Sequence, residues 1–257
     1  MSGPGVREAY DASAASWRRG PAAVYARFAA ALVSVAPGPV EGALVLDVGA
    51  GTAVAARAAL GRGASSAVAT DVSMEMLRGR PAGVAAVLAD GAHLPFVDDT
   101  FDLVTAAFCL GHMADPVAVV SEIRRVGRSL VASAFVPGPG HPVKAAVDEA
   151  FGRVGFRQPE WYRRQKDVLE PRVDDPEALR ALAVGAGYRS AEVHTLEVDT
   201  GLDSARAVVD WRLGMAHLAP FVAHLPPERL AEARAEAEET VAGMLPVIIP
   251  ILALSAS

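Results

Sequence analysis

The chain has 257 residues, 52% of them hydrophobic, and a formal net charge of −6 at pH 7. That length allows one large domain with a sizeable core, and the acidic balance without any Lys/Arg run argues against a nucleic-acid binder. No apolar run reaches the ~18 residues of a transmembrane helix, and the N-terminal stretch lacks the apolar core of a signal peptide. The single cysteine, Cys109, excludes an internal disulfide and fits a reducing, cytoplasmic setting. Only two of the 24 basic residues are lysines, a bias that, with the alanine richness, speaks of coding composition.

Residues 8–15 and 21–35 read as helices separated at Gly20, with Pro21 suited to a helix N1 position. Ala22, Tyr25, Phe28, Ala29 and Leu32 recur at helical spacing as one apolar face. This prelude either covers core or serves as a lid, and both readings stand. The stretch VLDVGAGTA at 45–53 follows: a short apolar run, an acid, then small residues in a Gly-x-Gly pattern. The run reads as a buried parallel strand. Gly49 and Gly51 permit a sharp turn and a close approach of backbone to ligand, and residues 52–61 read as a helix. Strand, glycine turn and helix form the first crossover of a nucleotide-binding α/β sheet.

The second strand, 67–70, ends at Asp71, where a carboxylate accepts hydrogen bonds from both hydroxyls of a ribose. A helix cap is the competing role. Ser73 is expected to cap the next helix, with Val72 and Met76 walling a base. A third strand at 83–90 ends in Asp90. The fourth strand is 101–107, a helix follows at 116–125, and the fifth strand is 129–135. Strands alternating with helices imply a parallel sheet.

The carboxyl-terminal part differs. Helices are expected at 143–154, 175–185, 203–218 and 227–244, the second capped by Asp175 with Pro176 at N1. An aromatic and basic stretch occupies 158–164, and a strand is expected at 191–198. The last strand, 246–254, carries Pro246 and Pro250, which favour a sheet margin or a bulge. Neither a metal-ligand spacing nor a Gly-x-Ser-x-Gly elbow occurs.

VLDVGAGTA, then ATDVSMEML, then LADGAHLPFVDDTFDLVTAAFCLGHMADP resemble the class I S-adenosylmethionine-dependent methyltransferases, in particular the small-molecule branch related to ubiquinone/menaquinone-type enzymes. The motifs span roughly residues 10–135, and the element order matches over the whole chain. The resemblance implies an α/β Rossmann-like fold: a seven-stranded, mostly parallel sheet flanked by helices, the last strand antiparallel, with a helical cap. It implies a single domain over 1–257. Residues 1–40 form a helical lid, 41–136 the cofactor-binding core, 137–244 cap helices interleaved with a strand, and 245–257 the last strand.

S-adenosyl-L-methionine is the implied cofactor and a small, partly apolar organic molecule the implied acceptor, with no nucleic-acid, membrane or metal partner. Carried over by residue, Asp47 lies near the methionine moiety and Gly49, Ala50 and Gly51 pass beneath methionine and ribose. Asp71 takes the ribose hydroxyls. Val72 and Met76 flank the adenine, Asp90 accepts from its amino group, and the Gly91 N–H donates to the ring. Phe108 lines the methionine side, and Tyr10 reaches the cofactor carboxylate. Ala53 replaces a frequent third glycine, a position read as setting helix–strand packing. His112 and then His141 are the candidate bases, each with a structural role as its alternative. Trp161, Tyr162, Trp211, Met215 and His217 are cap residues that line an acceptor pocket or build cap core. A nucleophilic role for Cys109 is not supported, since no His/Asp arrangement surrounds it. A same-fold protein catalysing cyclisation or rearrangement is the alternative.

Overall fold

The computed structural model describes residues 5–138 and 140–257. Residues 1–4, part of the stretch read for a signal peptide, and Pro139, in the loop before His141, lie outside the described residues. The prelude is a helical hairpin, α1 (Val6–Arg19) and α2 (Pro21–Ser34). The sheet half then runs β1 (Leu44–Val48), α3 (Val54–Gly61), β2 (Ser66–Asp71), α4 (Met74–Leu77), β3 (Val84–Leu88), β4 (Phe101–Ala107), α5 (Pro116–Val126) and β5 (Gly127–Phe135). The rest comprises α6 (Pro142–Arg153), α7 (Glu160–Arg164), α8 (Pro176–Gly185), β6 (Ala191–Asp199), α9 (Ala205–Leu213), α10 (Ala219–Ala223), α11 (Pro227–Val241) and β7 (Ile248–Ala256).

The expected sheet is present: seven strands among the described residues, in the order β3-β2-β1-β4-β5-β7-β6. The strands β1 to β5 pair in parallel, and β7 runs antiparallel to both β5 and β6. Strand order reverses between β1 and β4, and a ligand crevice forms outside the carboxyl ends at such a switch point. The central strands are continuous apolar runs because both their faces are covered: Val45, Leu46, Val104, Leu130 and Val131 are fully buried.

The local signals work as read. Ser73 Oγ accepts from the Met76 N–H at 3.1 Å and Asp175 Oδ2 from the Ala178 N–H at 2.9 Å. Two expectations are corrected. The last strand is not marginal, since β7 lies between β5 and β6. Its pairing with β5 begins at Ile251 opposite Phe135, so Pro250 falls just past the end of β5, where its missing N–H costs no bond to that strand. The helix expected over 203–218 breaks at Gly214. A Cβ there would stand 2.4 Å from Pro21 Cδ and 2.9 Å from the Ser16 carbonyl oxygen, so the prelude crosses the cap at this point. Among the described residues no helix is long and apolar enough to cross a membrane.

Candidate active site

One chamber extends from the carboxyl ends of β1 and β2, beneath α1, to the helices that follow β5. Its first end is built from the glycine turn. Gly49 adopts φ 61°, and a Cβ on it would lie 2.4 Å from Cys109 Cβ, so only glycine fits. Asp71 locks the turn to the second strand. Its Oδ2 accepts from the Gly51 N–H and its Oδ1 from the Ser73 N–H, both at 2.8 Å. Burial pushes this carboxyl above its usual range, against the amides that donate to it. Val72 and Met76 line the same end. The Thr52 hydroxyl is buried there with no partner among the described residues.

The prelude closes over this end. Ser73 Oγ donates to Asp11 of α1 at 2.5 Å, and Arg18 Nη1 donates to the Glu75 carbonyl at 3.4 Å. Tyr10, the residue before Asp11 on α1, stacks edge-on against His112 with ring centroids 5.5 Å apart. Its hydroxyl lies 3.3 Å from His112 Nε2. Gln165 Nε2 is 3.1 Å from the same nitrogen and donates to Glu170 Oε1 at 3.0 Å. With the amide donating to both, His112 Nε2 is an acceptor and Nδ1 carries the proton. That Nδ1 is buried without a partner among the described residues. Burial, then the charge on Lys166, holds the His112 imidazolium down to about 4, so the ring is neutral across the physiological range. Gln165 and Lys166 stand on a π-helical turn, Gln165–Leu169, directly after α7, a distortion frequent at functional sites.

An aromatic wall links this centre to the far end. Phe108 follows β4 at φ 55°, a strained conformation for a bulky residue. Its N–H is held at 3.2 Å by both the carbonyl and the hydroxyl oxygen of Ser133. The Phe108 ring lies 5.5 Å from Tyr25, 5.3 Å from Phe28 and 4.5 Å from Phe135. Beyond it, His217 stacks on Tyr162 at 4.0 Å, and its Nε2 accepts from Arg212 Nη2 at 3.2 Å. Arg212 also donates to both oxygens of Asp148, at 2.6 and 2.8 Å.

The site residues read from sequence divide accordingly. Tyr10, Asp47, Gly49, Ala50, Gly51, Asp71, Val72, Met76, Gly91, Phe108 and His112 line the chamber, as do the cap residues Trp161, Tyr162, Trp211, Met215 and His217. His141 does not. It is the N-cap of α6, its Nδ1 accepting from the Val143 N–H at 3.4 Å. Asp90 stands in the turn beyond β3 with Oδ1 accepting from the Ala92 N–H, and its neighbours Ala89 and Gly91, rather than Asp90 itself, form the lining. Asp47 is at the chamber, but its oxygens are engaged by the Ala56 N–H at 2.9 Å and the Thr105 hydroxyl at 2.8 Å. Burial raises its carboxyl to about 7. Ala53 is corrected too. It adopts φ 58°, so the glycine frequent there is favoured by backbone conformation, not packing alone. Cys109 is a buried free thiol, with Sγ 3.2 Å from the Val48 carbonyl and burial pushing its ionisation up. The sequence reading missed Thr52, Lys144, Gln165, Lys166 and Arg212, all in the lining. The two lysines carried a signal, being the only ones in the chain.

A seven-stranded sheet of this order, with a glycine turn after its first strand and an acid after its second, is the fold of class I S-adenosylmethionine-dependent methyltransferases. The donor-side sequence agrees, since residues 46–130 match the methyltransferase domain family. In this half the chain is related to the demethylmenaquinone methyltransferases. It is 42% identical over 89 residues to the Corynebacterium kroppenstedtii protein, covering 34% of this chain and 38% of that one. The chain thus spans less than half the length of the curated relatives it matches. A structure described as a methyltransferase from an antibiotic biosynthesis pathway of Anabaena variabilis superposes with TM-score 0.63 at 15% identity, covering 90% of this chain and 96% of that one. The cyclase SpnF superposes with TM-score 0.51 at 19% identity, covering 90% and 80%. Both likenesses show the fold alone.

Proposed function

We propose that the protein transfers the methyl group of S-adenosylmethionine to a small, partly apolar organic acceptor of secondary metabolism. The observation that carries this is the continuity of the chamber, which joins the Gly49–Asp71 end to a separate aromatic end under the cap. The residues fit the cofactor: Gly49 leaves a cradle that a Cβ would fill, and Thr52 offers an unpaired buried hydroxyl. In this reading Asp71 accepts from the ribose hydroxyls, and Val72 and Met76 flank the adenine. The Gly91 N–H donates to the adenine ring, Asp90 reaches its amino group from the turn beside the lining, and Tyr10 closes over the carboxylate end. Residues 1–40 act as lid and 137–244 as cap within one domain, and the buried free thiol suits a cytoplasmic enzyme.

When bound, the cofactor supplies an electrophilic methyl group on a sulfonium. Displacement from it is in line, so the protein's main contribution is positioning and exclusion of water. Tyr10, Trp17, Tyr25 and Phe108 provide an apolar wall between the two ends. His112, neutral and held at Nε2 by Tyr10 and Gln165, orients the lid rather than acting as a strong base. The relatives are named for demethylmenaquinone, but the cap lies outside the matched residues 46–130, so that acceptor is not carried over.

Calorimetry with S-adenosylhomocysteine tests the reading. Wild type is expected to bind in the micromolar range, about −8 kcal/mol, and Asp71→Ala to bind roughly 10- to 100-fold more weakly, as loss of a charged hydrogen-bond acceptor implies. Absence of binding, or equal affinity in the variant, overturns it. Because a cyclase shares the fold, transfer of labelled methyl into product is the readout for the reaction itself.

A further inference from the structure

The cap end of the chamber holds three cations with unequal partners. Arg212 is buried and donates to both oxygens of Asp148. Lys166 donates to both oxygens of Glu170, at 2.9 and 2.6 Å. Lys144 has neither arrangement: among the described residues its Nζ makes no hydrogen bond or ion pair and stands 4.1 Å from the centroid of the Phe135 ring. Arg212 Nε, lining the same chamber, is buried and likewise unpartnered.

The surroundings disfavour a charge on this amine. Lys144 is the third residue of α6, where the helix macrodipole favours anions over cations. Arg212 from α9 and Lys166 from the π-turn oppose its ammonium; Glu170 and Asp148 support it, but each already holds another cation. Burial, then Arg212 and Lys166, bring the ammonium down to about 7. Tyr162 and Asp174 face the same space. Arginine cannot give up its proton in a protein, whereas lysine can. The chain uses arginine at all but two of its 24 basic positions, and both lysines line this chamber. Phe135 in turn lies 4.5 Å from Phe108, so the amine is one aromatic ring from the methionine side.

We propose that the acceptor is a planar compound with an acidic hydroxyl, a phenol or enol, and that Lys144 takes the proton of that hydroxyl and holds the resulting oxyanion. The O–H bond breaks, its electron pair stays on the acceptor, and the proton joins the lone pair of Nζ. The ionised acceptor then forms its bond to the methyl carbon as the S–C electron pair leaves on sulfur. The proton on Lys144 passes to water as product departs. This rests on the methyl-transfer reading of the chamber.

The chain's two lysines make the test direct. Protein labelled with 13C at lysine Cε gives two lysine resonances, and Lys144→Met assigns them by removing one. Methionine keeps the length and apolar body of the side chain. The probes are 2-naphthol and naphthalene, each added with S-adenosylhomocysteine. Expected are a Lys144 resonance that moves with 2-naphthol and not with naphthalene while Lys166 stays fixed, and naphtholate absorbance at pH 8 at least ~10-fold stronger for wild type than for Lys144→Met, one pKa unit being tenfold. A Lys144 resonance unmoved by millimolar 2-naphthol, or equal naphtholate in the variant, overturns the proposal. Calorimetry of both proteins with S-adenosylhomocysteine separates the two failures: lost donor binding sinks the methyl-transfer reading, and intact donor binding with a silent Lys144 sinks this one alone.

Discussion

The two ends of the chamber are built on opposite principles. At the donor end the polar work is done by backbone. Gly51 and Ser73 amides meet Asp71, the Ala56 amide meets Asp47, and one buried hydroxyl, Thr52, lacks a partner. From the His112 centre to the cap end it is done by long side chains from separate elements, and among the described residues several buried atoms have no partner: His112 Nδ1, Gln165 Oε1, Trp211 Nε1 and Arg212 Nε. Each buried unpartnered group costs about 1–3 kcal/mol, a cost a ligand with complementary atoms removes. On the proposed reading the first end is a mould for the donor, and the cap end is a set of unmet valences for the acceptor.

That contrast can be broken most forcefully at Gly49. Gly49→Ala places a Cβ against Cys109 in a left-handed conformation, and is expected to cost about 2–4 kcal/mol in donor binding or stability. Calorimetry and a thermal melt measure it, and wild-type values in both would mean that the mould is soft. Gln165→Leu should act on the other side only. With the His112 contact gone, acceptor turnover is expected to fall roughly tenfold, the value of one such hydrogen bond, while donor affinity stays within about threefold. Loss of donor affinity with turnover intact would erase the distinction between the ends.

The smallest effect concerns Asp47. Its folded carboxyl titrates near 7, above its unfolded value, so between about pH 4 and 7 the folded chain holds a proton that the unfolded chain has lost. Stability from this group therefore falls as pH rises through that window. His112, held down to about 4, gives the opposite slope over its own window, but it is present in wild type and Asp47→Asn alike and cancels between them. Urea denaturation should show wild type losing stability relative to Asp47→Asn from pH 4.5 to 7.5 on the order of 1 kcal/mol or more. A constant difference would mean that Asp47 is not desolvated by the mould.

Much of the donor end was legible because its signals are local. An apolar run, two glycines and an acid within seven residues specify a strand, a turn and a close approach, and the next acid lies at the next strand end. Ser73 and Asp175 were readable as caps for the same reason. The capping of Val143 by His141 was not legible, because it depends on a ring orientation no pattern encodes. Ala53 misled because its positive φ is set by how α3 leaves the glycine turn. Gln165 was invisible: nothing about a lone glutamine in a polar segment indicates a π-turn aimed at His112.

By itself the sequence determined the sheet and its crossovers, because hydrophobic periodicity and turn chemistry act over a few residues. It also displayed, without explaining them, two lysines in an arginine-rich chain. Only the tertiary structure decided that both lysines share one chamber with Arg212, that His112 is held between α1 and a π-turn, and that β7 runs inside the sheet. Those outcomes join residues distant in the chain, and their physics is burial and charge pairing in three dimensions.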